Sequence, residues 1–331
     1  MKALVYETAH TLDNFAIGLQ EVAEPTVREF DVLVEIHAIA INPGETFFRR
    51  TRSAEPGGRV LLGWEFAGVV IETGSAVRNF KAGDRVFGTG DLSRDGSWAE
   101  RLAVDSRIIA KIPDQLSFVD AASLPIGALT AWEAMFRDQG ALPTGVGRVL
   151  IVGGAGGVGS LATQLLKAKT KAFVISTASR PESRQWCLDM GADLVIDHAR
   201  DIEDQLASAH ISQIDMVLST AKTADNLGWI ANLLRPFGHL SVVDLSLSID
   251  ANALMLKSAS LHMEMVFSKI LNGRDFKSQG GILEDVAALV VAGRVRAIAN
   301  TRLDGLTGET MRAAHALVET ARTIGKVVIA T

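Results

Sequence analysis

The run RVLIVGGAGGVGSLATQLLKA, residues 148–168, restricts what this chain can fold into more than any other stretch. Five glycines fall within the eight residues Gly153–Ser160, and each loses conformational entropy on folding. VLIV ahead of them predicts a strand. Val158, Leu161, Ala162, Leu165 and Leu166 behind them recur at helical spacing. The loop therefore leads a strand into a helix N-terminus, where free N–H groups and the macrodipole favour a phosphate. Gly154-x-Gly156-x-x-Gly159 has the spacing of a dinucleotide fingerprint.

The surroundings give that fingerprint weight. AFVIST (172–177), DLVIDH (193–198), DMVLST (215–220) and HLSVVDL (239–245) are short and nearly all apolar, as parallel strands buried on both faces are. Helical segments separate them, so a doubly wound parallel sheet follows. The fingerprint also calls for an acid about 20 residues on, for the ribose 2′-hydroxyl. Here the second strand ends in Thr177, Ala178, Ser179 and Arg180, with Arg184 a turn later. Hydroxyls and arginines suit a 2′-phosphate, so NADPH is expected over NADH. An alternative reading makes Ser179 a helix cap, with Glu182 completing a capping box.

Upstream of about residue 122 the texture is all-β. KALVYE, DVLVEIHAIAIN, FAGVVIET, DRVFGTG and WAERLAV read as strands, with turn signals at 56–58, 73–76 and 81–84. DAASLPIGALTAWEAMF, 120–136, reads as helical apart from its proline. The last segment reads as a helix followed by a strand. At 331 residues about two domains are expected, with 48% hydrophobic residues to build their cores. The net charge of −5 and the lack of a basic run speak against a nucleic-acid or anionic-membrane partner. No apolar stretch approaches a membrane span or a signal peptide, so a cytoplasmic location is expected. The single cysteine, Cys187, excludes an internal disulfide and reads as a small buried hydrophobe.

AINPGETFFRR (40–50), LGWEFAGVVIETGSAVRNFKAGDRVFG (62–88), ASLPIGALTAWEAMF (122–136), GGAGGVGS and IGKVVI together resemble the medium-chain dehydrogenase/reductases, across almost the whole chain. The resemblance implies an α/β chain with two domains. One is a GroES-like β-rich catalytic domain built from 1–122 and 268–331. The other is a Rossmann domain, a doubly wound parallel sheet, at 123–267. It implies an active-site cleft between the two, and a homodimer or homotetramer. The run LHMEMVF, 261–267, is similar to the edge strand that pairs across such dimers. Zinc members of the family carry a Cys near the Asn42–Thr46 stretch and a GHE motif. Here Asn42-Pro43 and Gly63-Trp64-Glu65 stand in those places, so no metal is expected, and Glu65 reads as a structural carboxylate. What remains resembles the zinc-free quinone oxidoreductase branch, whose members use NADPH.

Within that resemblance Asn42 is implied to face nicotinamide and substrate. Thr130 is implied to hydrogen-bond the ring or relay a proton, with a bond to its own helix as the alternative. Phe47, Trp64 and Phe267 are candidate walls for an aromatic substrate, or core. The implied cofactor residues are Gly154, Ala155, Gly156, Gly157, Val158, Thr177, Ser179, Arg180, Arg184, His198, Ser219, Thr220, Val243 and Asp244.

Chemistry narrows the substrate. Hydride transfer to a simple ketone leaves an alkoxide about as basic as hydroxide, with water at about 15.7 as the guide. Transfer to a quinone leaves a phenolate near 10. The gap of roughly 6 units corresponds to about 8 kcal/mol, which a zinc ion or strong acid would normally cover. Tyr6 is the only tyrosine, so a Tyr-x-x-x-Lys dyad is absent too. Quinones and α,β-unsaturated carbonyls fit best. The alternatives are an enoyl-thioester reductase, for which Arg49, Arg50 and Arg52 would supply a basic groove, an alcohol dehydrogenase, and a non-catalytic NADPH-binding protein.

Overall fold

The computed structural model describes residues 1–137, 140–245 and 248–331, with the backbone alone at 276 and 277. The chain divides into unit 1, Met1–Ile126 with Phe267–Thr331, and unit 2, Gly127–Val266.

In chain order, unit 1 begins with β1 (Lys2–Val5), β2 (Gly18–Glu21), β3 (Asp31–Ile41), α1 (Pro43–Thr51), β4 (Glu65–Thr73), β5 (Arg85–Thr89), β6 (Arg101–Asp105), β7 (Ile109–Lys111) and α2 (Phe118–Ala122). The helix expected over 120–136 is two helices. Pro125 opens the second, α3 (Pro125–Met135), because a proline has no N–H to continue the first. Unit 2 goes on with β8 (Arg148–Val152), α4 (Gly157–Lys169), β9 (Phe173–Thr177), α5 (Pro181–Asp189), β10 (Leu194–Ile196), α6 (Ile202–Ser208), β11 (Ile214–Ser219), α7 (Thr223–Leu233), β12 (Leu234–Val242), α8 (Asn252–Met255) and β13 (Ser260–Met263). The chain then returns to unit 1 with α9 (Ser268–Leu271), α10 (Phe276–Val291), β14 (Ala299–Asp304), α11 (Gly308–Glu319) and β15 (Lys326–Ala330).

Unit 2 is built on a parallel sheet of order β10-β9-β8-β11-β12-β13 among the described residues. Its core follows from the apolar runs: Leu150, Ile175, Val217 and Leu240 are fully buried, as are Leu161, Ala162, Leu165 and Leu166 on the inner face of α4. The order reverses between β8 and β11, so the C-terminal ends of β8, β9, β11 and β12 open onto one edge. The edge strand expected over 261–267 ends sooner, at Met263, and Met263 and Met265 are exposed.

Unit 1 holds an antiparallel core, β15-β3-β4-β5-β7, with β14 parallel to β15 and β6 also paired to β3. The eleven residues of β3 reach both β6 and β15. Register matters for the site. Val327 of β15 lies opposite Ile41 of β3, which brings Lys326 to the end of β3 where Asn42 begins the turn into α1.

Candidate functional site

In unit 2 the glycines of the loop do different things. Gly153 adopts φ +80°, the left-handed region, and a Cβ there would lie 2.4 Å from Thr220 Oγ1. Gly159 packs so closely that a Cβ would meet Gly153 O at 2.4 Å and Gly154 Cα at 2.7 Å. Gly156 differs from both. Its φ of −74° suits any residue, and the nearest atom to its Cβ would be 3.6 Å away. Nothing among the described residues requires a glycine at this position. It lies at the N-cap of α4, where the first-turn N–H groups have no acceptor within the helix. Bare backbone beside a helix N-terminus is the cradle a pyrophosphate needs, so the residues present fit a dinucleotide.

The other residues assigned to the cofactor lie along the same edge, but several hydroxyls are committed elsewhere. Thr177 is buried, and its Oγ1 accepts from Gly153 N at 3.0 Å, so it braces the loop from behind. Ser219 is fully buried and shares a 2.7 Å hydrogen bond with Thr223. Thr220 Oγ1 donates to Val152 O at 2.8 Å. Asp244 accepts from the N–H of Thr223 at 3.0 Å and also from its hydroxyl, capping α7. Val243 N donates to Ser219 O. His198 is exposed in the turn after β10.

The end of β9 needs a correction. Ser179 is not the cap of α5. Arg180 is, with Pro181 at the first helical position, and Ser183 rather than Glu182 closes the turn: Arg180 N donates to Ser183 Oγ at 3.2 Å. A proline at that position signals the boundary one residue later than the serine suggests. Arg184 donates to Ala178 O and Val195 O at 3.2 and 3.0 Å, tying α5 to the sheet. Cys187 is buried behind Gly154, and burial pushes its thiol up to about 12. Thr130, on α3, is 7% exposed, and its hydroxyl makes no hydrogen bond to a described residue.

Unit 1 carries a second cluster. Gly63, at φ +113° with Trp98 and Ser97 within 2.7 Å of any Cβ, forces the turn that sets Trp64 and Glu65 at the head of β4. Glu65 is fully buried. Its carboxylate accepts from Ile126 N at 2.8 Å, Asn42 Nδ2 at 3.1 Å and Lys326 Nζ at 2.5 Å. Lys326, 5% exposed, also donates to Asn42 Oδ1. Glu45 accepts Asn42 N at 2.7 Å and Trp64 N at 2.9 Å. Burial pushes its carboxyl up to about 8, against the pull of those two N–H groups.

Beside this cluster stands a row of rings. Phe47, Phe48, Trp64 and Phe267 meet edge to face, with centroids 5.7, 5.3 and 5.5 Å apart in turn. Trp64 and Phe267 are buried, while Phe47 is half-buried.

Of the three arginines suggested for a basic groove, Arg50 and Arg52 are exposed and Arg49 is not available to it. Arg49 is fully buried, donating to Glu319 at 2.5 Å, to His10 O at 3.2 Å and to His315 Nδ1 at 3.3 Å. Burial and the Arg49 charge hold His315 down at about 3, so it is neutral. Tyr6 is buried as well, its hydroxyl donating to Phe48 O at 3.2 Å.

The donors do not suit zinc. Where a metal site would stand, the groups are one amide, one carboxylate and an ammonium already paired to that carboxylate. Among the described residues no three His, Cys, Asp or Glu side chains gather as ligands. Sequence reasoning missed Lys326 and Glu45. A lysine opening a strand otherwise apolar on both faces was the available signal, since such a residue needs a partner when buried.

Two family models match the chain: the alcohol dehydrogenase GroES-like domain over 28–114, and the zinc-binding dehydrogenase over 157–276. A zinc-type alcohol dehydrogenase-like protein of Staphylococcus aureus is 34% identical, covering 99% of both chains. A 2-methylene-furan-3-one reductase of Solanum lycopersicum is 31% identical over 80% of this chain and 69% of its own. The structure of the quinone oxidoreductase from Coxiella burnetii superposes with a TM-score of 0.83 at 26% identity, covering 100% of this chain and 99% of that one.

Proposed function

The chain belongs to the medium-chain dehydrogenase/reductase superfamily, and on that premise we propose that it is a zinc-independent, NADPH-dependent reductase of quinones or α,β-unsaturated carbonyls. The observation that carries the reading is the neutral hydrogen-bond donor at Asn42, held in a donor set that does not suit a metal. A single amide N–H stabilises a delocalised oxyanion far more adequately than a localised alkoxide. Acceptors that spread the incoming charge are therefore the ones this site can serve. The activities for which the furanone reductase and the quinone oxidoreductase are named point the same way.

When bound, the reduced nicotinamide supplies the hydride. The residues of the chain do the rest. Gly154 to Val158 and the N-terminus of α4 hold the pyrophosphate, with Gly156 leaving room for it. Ser179 and Arg180 take the 2′-phosphate. A cation at the cap of α5 opposes the helix dipole, and an anion there relieves the conflict. Thr130 offers its hydroxyl to the nicotinamide ring. Asn42 donates to the oxygen of the acceptor, while Phe47, Trp64 and Phe267 offer it ring surface. A homodimer or homotetramer pairing along β13, whose Met263 is exposed, completes the reading, together with a cytoplasmic location. Among the described residues no helix is long and apolar enough to cross a membrane.

The test is NADPH and NADH oxidation against a small quinone, a small enone and a simple aldehyde, with and without a chelator. Chelator-insensitive NADPH oxidation with the quinone or enone is expected. Aldehyde turnover abolished by chelator would overturn the reading. Tight NADPH binding without turnover of any acceptor would identify a binding protein instead.

A further inference from the structure

Asn42 occupies the N-cap of α1 and yet does not cap it. A capping asparagine turns its side-chain oxygen onto an N–H of the first turn, and no such bond is made here. Glu45 supplies its half of a capping box by accepting Asn42 N, but the asparagine amide faces away, to Lys326 and Glu65.

The chemistry of those two partners fixes the amide. An ammonium has only hydrogens to give, and a carboxylate only lone pairs to offer. The two ends of the amide therefore cannot be exchanged. Oδ1 must face Lys326 and Nδ2 must face Glu65. Glu65 is itself fixed by the backbone N–H of Ile126, and Lys326 by the register of β15 on β3. One hydrogen of Nδ2 goes to Glu65, leaving the other as the amide's remaining polar hydrogen.

We propose that Lys326 is a positioning residue: together with Glu65 it locks the Asn42 amide so that the site presents an N–H. The group recognised there is accordingly a hydrogen-bond acceptor, the carbonyl oxygen of the substrate. This rests on the reading of Asn42 as the substrate-facing residue. Lys326 acts through the amide and does not touch the reacting atoms.

The experiment uses the full chain labelled with [¹⁵N]asparagine. The side-chain NH₂ signal of Asn42 is identified by its loss in Asn42→Ala. In the parent protein its two hydrogens should be widely separated in shift, the one held by Glu65 being slow to exchange with solvent. A pair at ordinary positions in rapid exchange would overturn the proposal without recourse to any variant. The variant is the double substitution Lys326→Met with Glu65→Gln, which removes both charges together and so strands neither. In it the two hydrogens should draw together, and kcat for a quinone or enone should fall about 100-fold, the scale of a displaced catalytic group. The dissociation constant for NADPH should stay within about twofold of the parent, since the glycine cradle is untouched. An unchanged NH₂ pair or an unchanged kcat in a folded double variant would overturn it. If the parent turns over no quinone or enone, the proposed function fails, while the NH₂ signals still decide the positioning.

Discussion

Two glycines three residues apart should fail in opposite ways when each is replaced by alanine. At Gly159 an added Cβ would stand 2.4 Å from a backbone oxygen and 2.7 Å from a backbone Cα, neither of which can swing aside. Overpacking of that kind costs about 3 kcal/mol or more. For a unit of this size it corresponds to a fall in melting temperature of about 9 °C, at roughly 3 °C per kcal/mol. At Gly156 the backbone is already in a conformation alanine accepts, and the nearest atom is 3.6 Å away. Gly156→Ala should therefore melt within about 3 °C of the parent, the loss of a glycine N-cap being under about 1 kcal/mol. Its methyl would fill the cradle instead. A methyl forced into a close contact with a bound pyrophosphate should weaken NADPH about 10- to 100-fold, or about 1.4 to 2.8 kcal/mol. Differential scanning fluorimetry gives the first quantity and titration calorimetry with NADPH the second. A Gly156→Ala protein that binds NADPH as tightly as the parent would refute the assignment of the cradle. One that melts as low as Gly159→Ala would refute the account of the loop.

The stability of the chain should depend on pH through two buried groups acting in opposite senses. His315 is held at about 3 against an ordinary 6.5, so the unfolded chain binds the extra proton and stability rises with pH between those values. Glu45 is raised from 4.5 to about 8, so the native chain binds the extra proton and stability falls as pH rises over that range. From pH 4.5 to 6.5 the two slopes offset each other. Denaturant titrations of His315→Phe should expose the Glu45 slope there, about 3 kcal/mol over the two units, and Glu45→Gln the opposite one; parallel curves for all three proteins would dismiss both assignments. Arg180→Ala should weaken NADPH about 10-fold while leaving NADH unchanged, as binding titrations with each cofactor will tell; equal losses for the two would make Arg180 a helix cap and no more. Cys187 should resist a thiol reagent in the native protein and react only on unfolding, because it is buried with its thiol raised to about 12; rapid native labelling would contradict its placement behind Gly154.

The parts of this structure that were legible in the sequence are those whose cause is local. A strand, a glycine loop and a helix in succession define the cradle, and Gly159 answers to Gly153 and Gly154 a few residues back. The cap of α5 was misplaced by one residue, since Ser179 and Pro181 gave competing signals and only the proline constrains its own φ. Arg49 reads in the sequence as one wall of a basic groove, but it lies one helical turn after Glu45, on the buried side of α1, and its partners on α11 lie far along the chain. Lys326 was out of reach for the same reason. It bonds Asn42 across 284 residues, and only the pairing of β15 with β3 makes the two neighbours.

That pairing also imposes an order on biosynthesis. Unit 2 is continuous, so a chain leaving the ribosome carries all of it before β14, α11 and β15 have been made. Through that interval residues 38–41 of β3 lack their partner strand, and the Glu65 carboxylate lacks its cation. An open apolar edge of that kind invites pairing with other chains. The last strand thus closes the edge and neutralises the carboxylate in one event, and a chain stalled before Lys326 is the form that a cell's chaperones would have to hold.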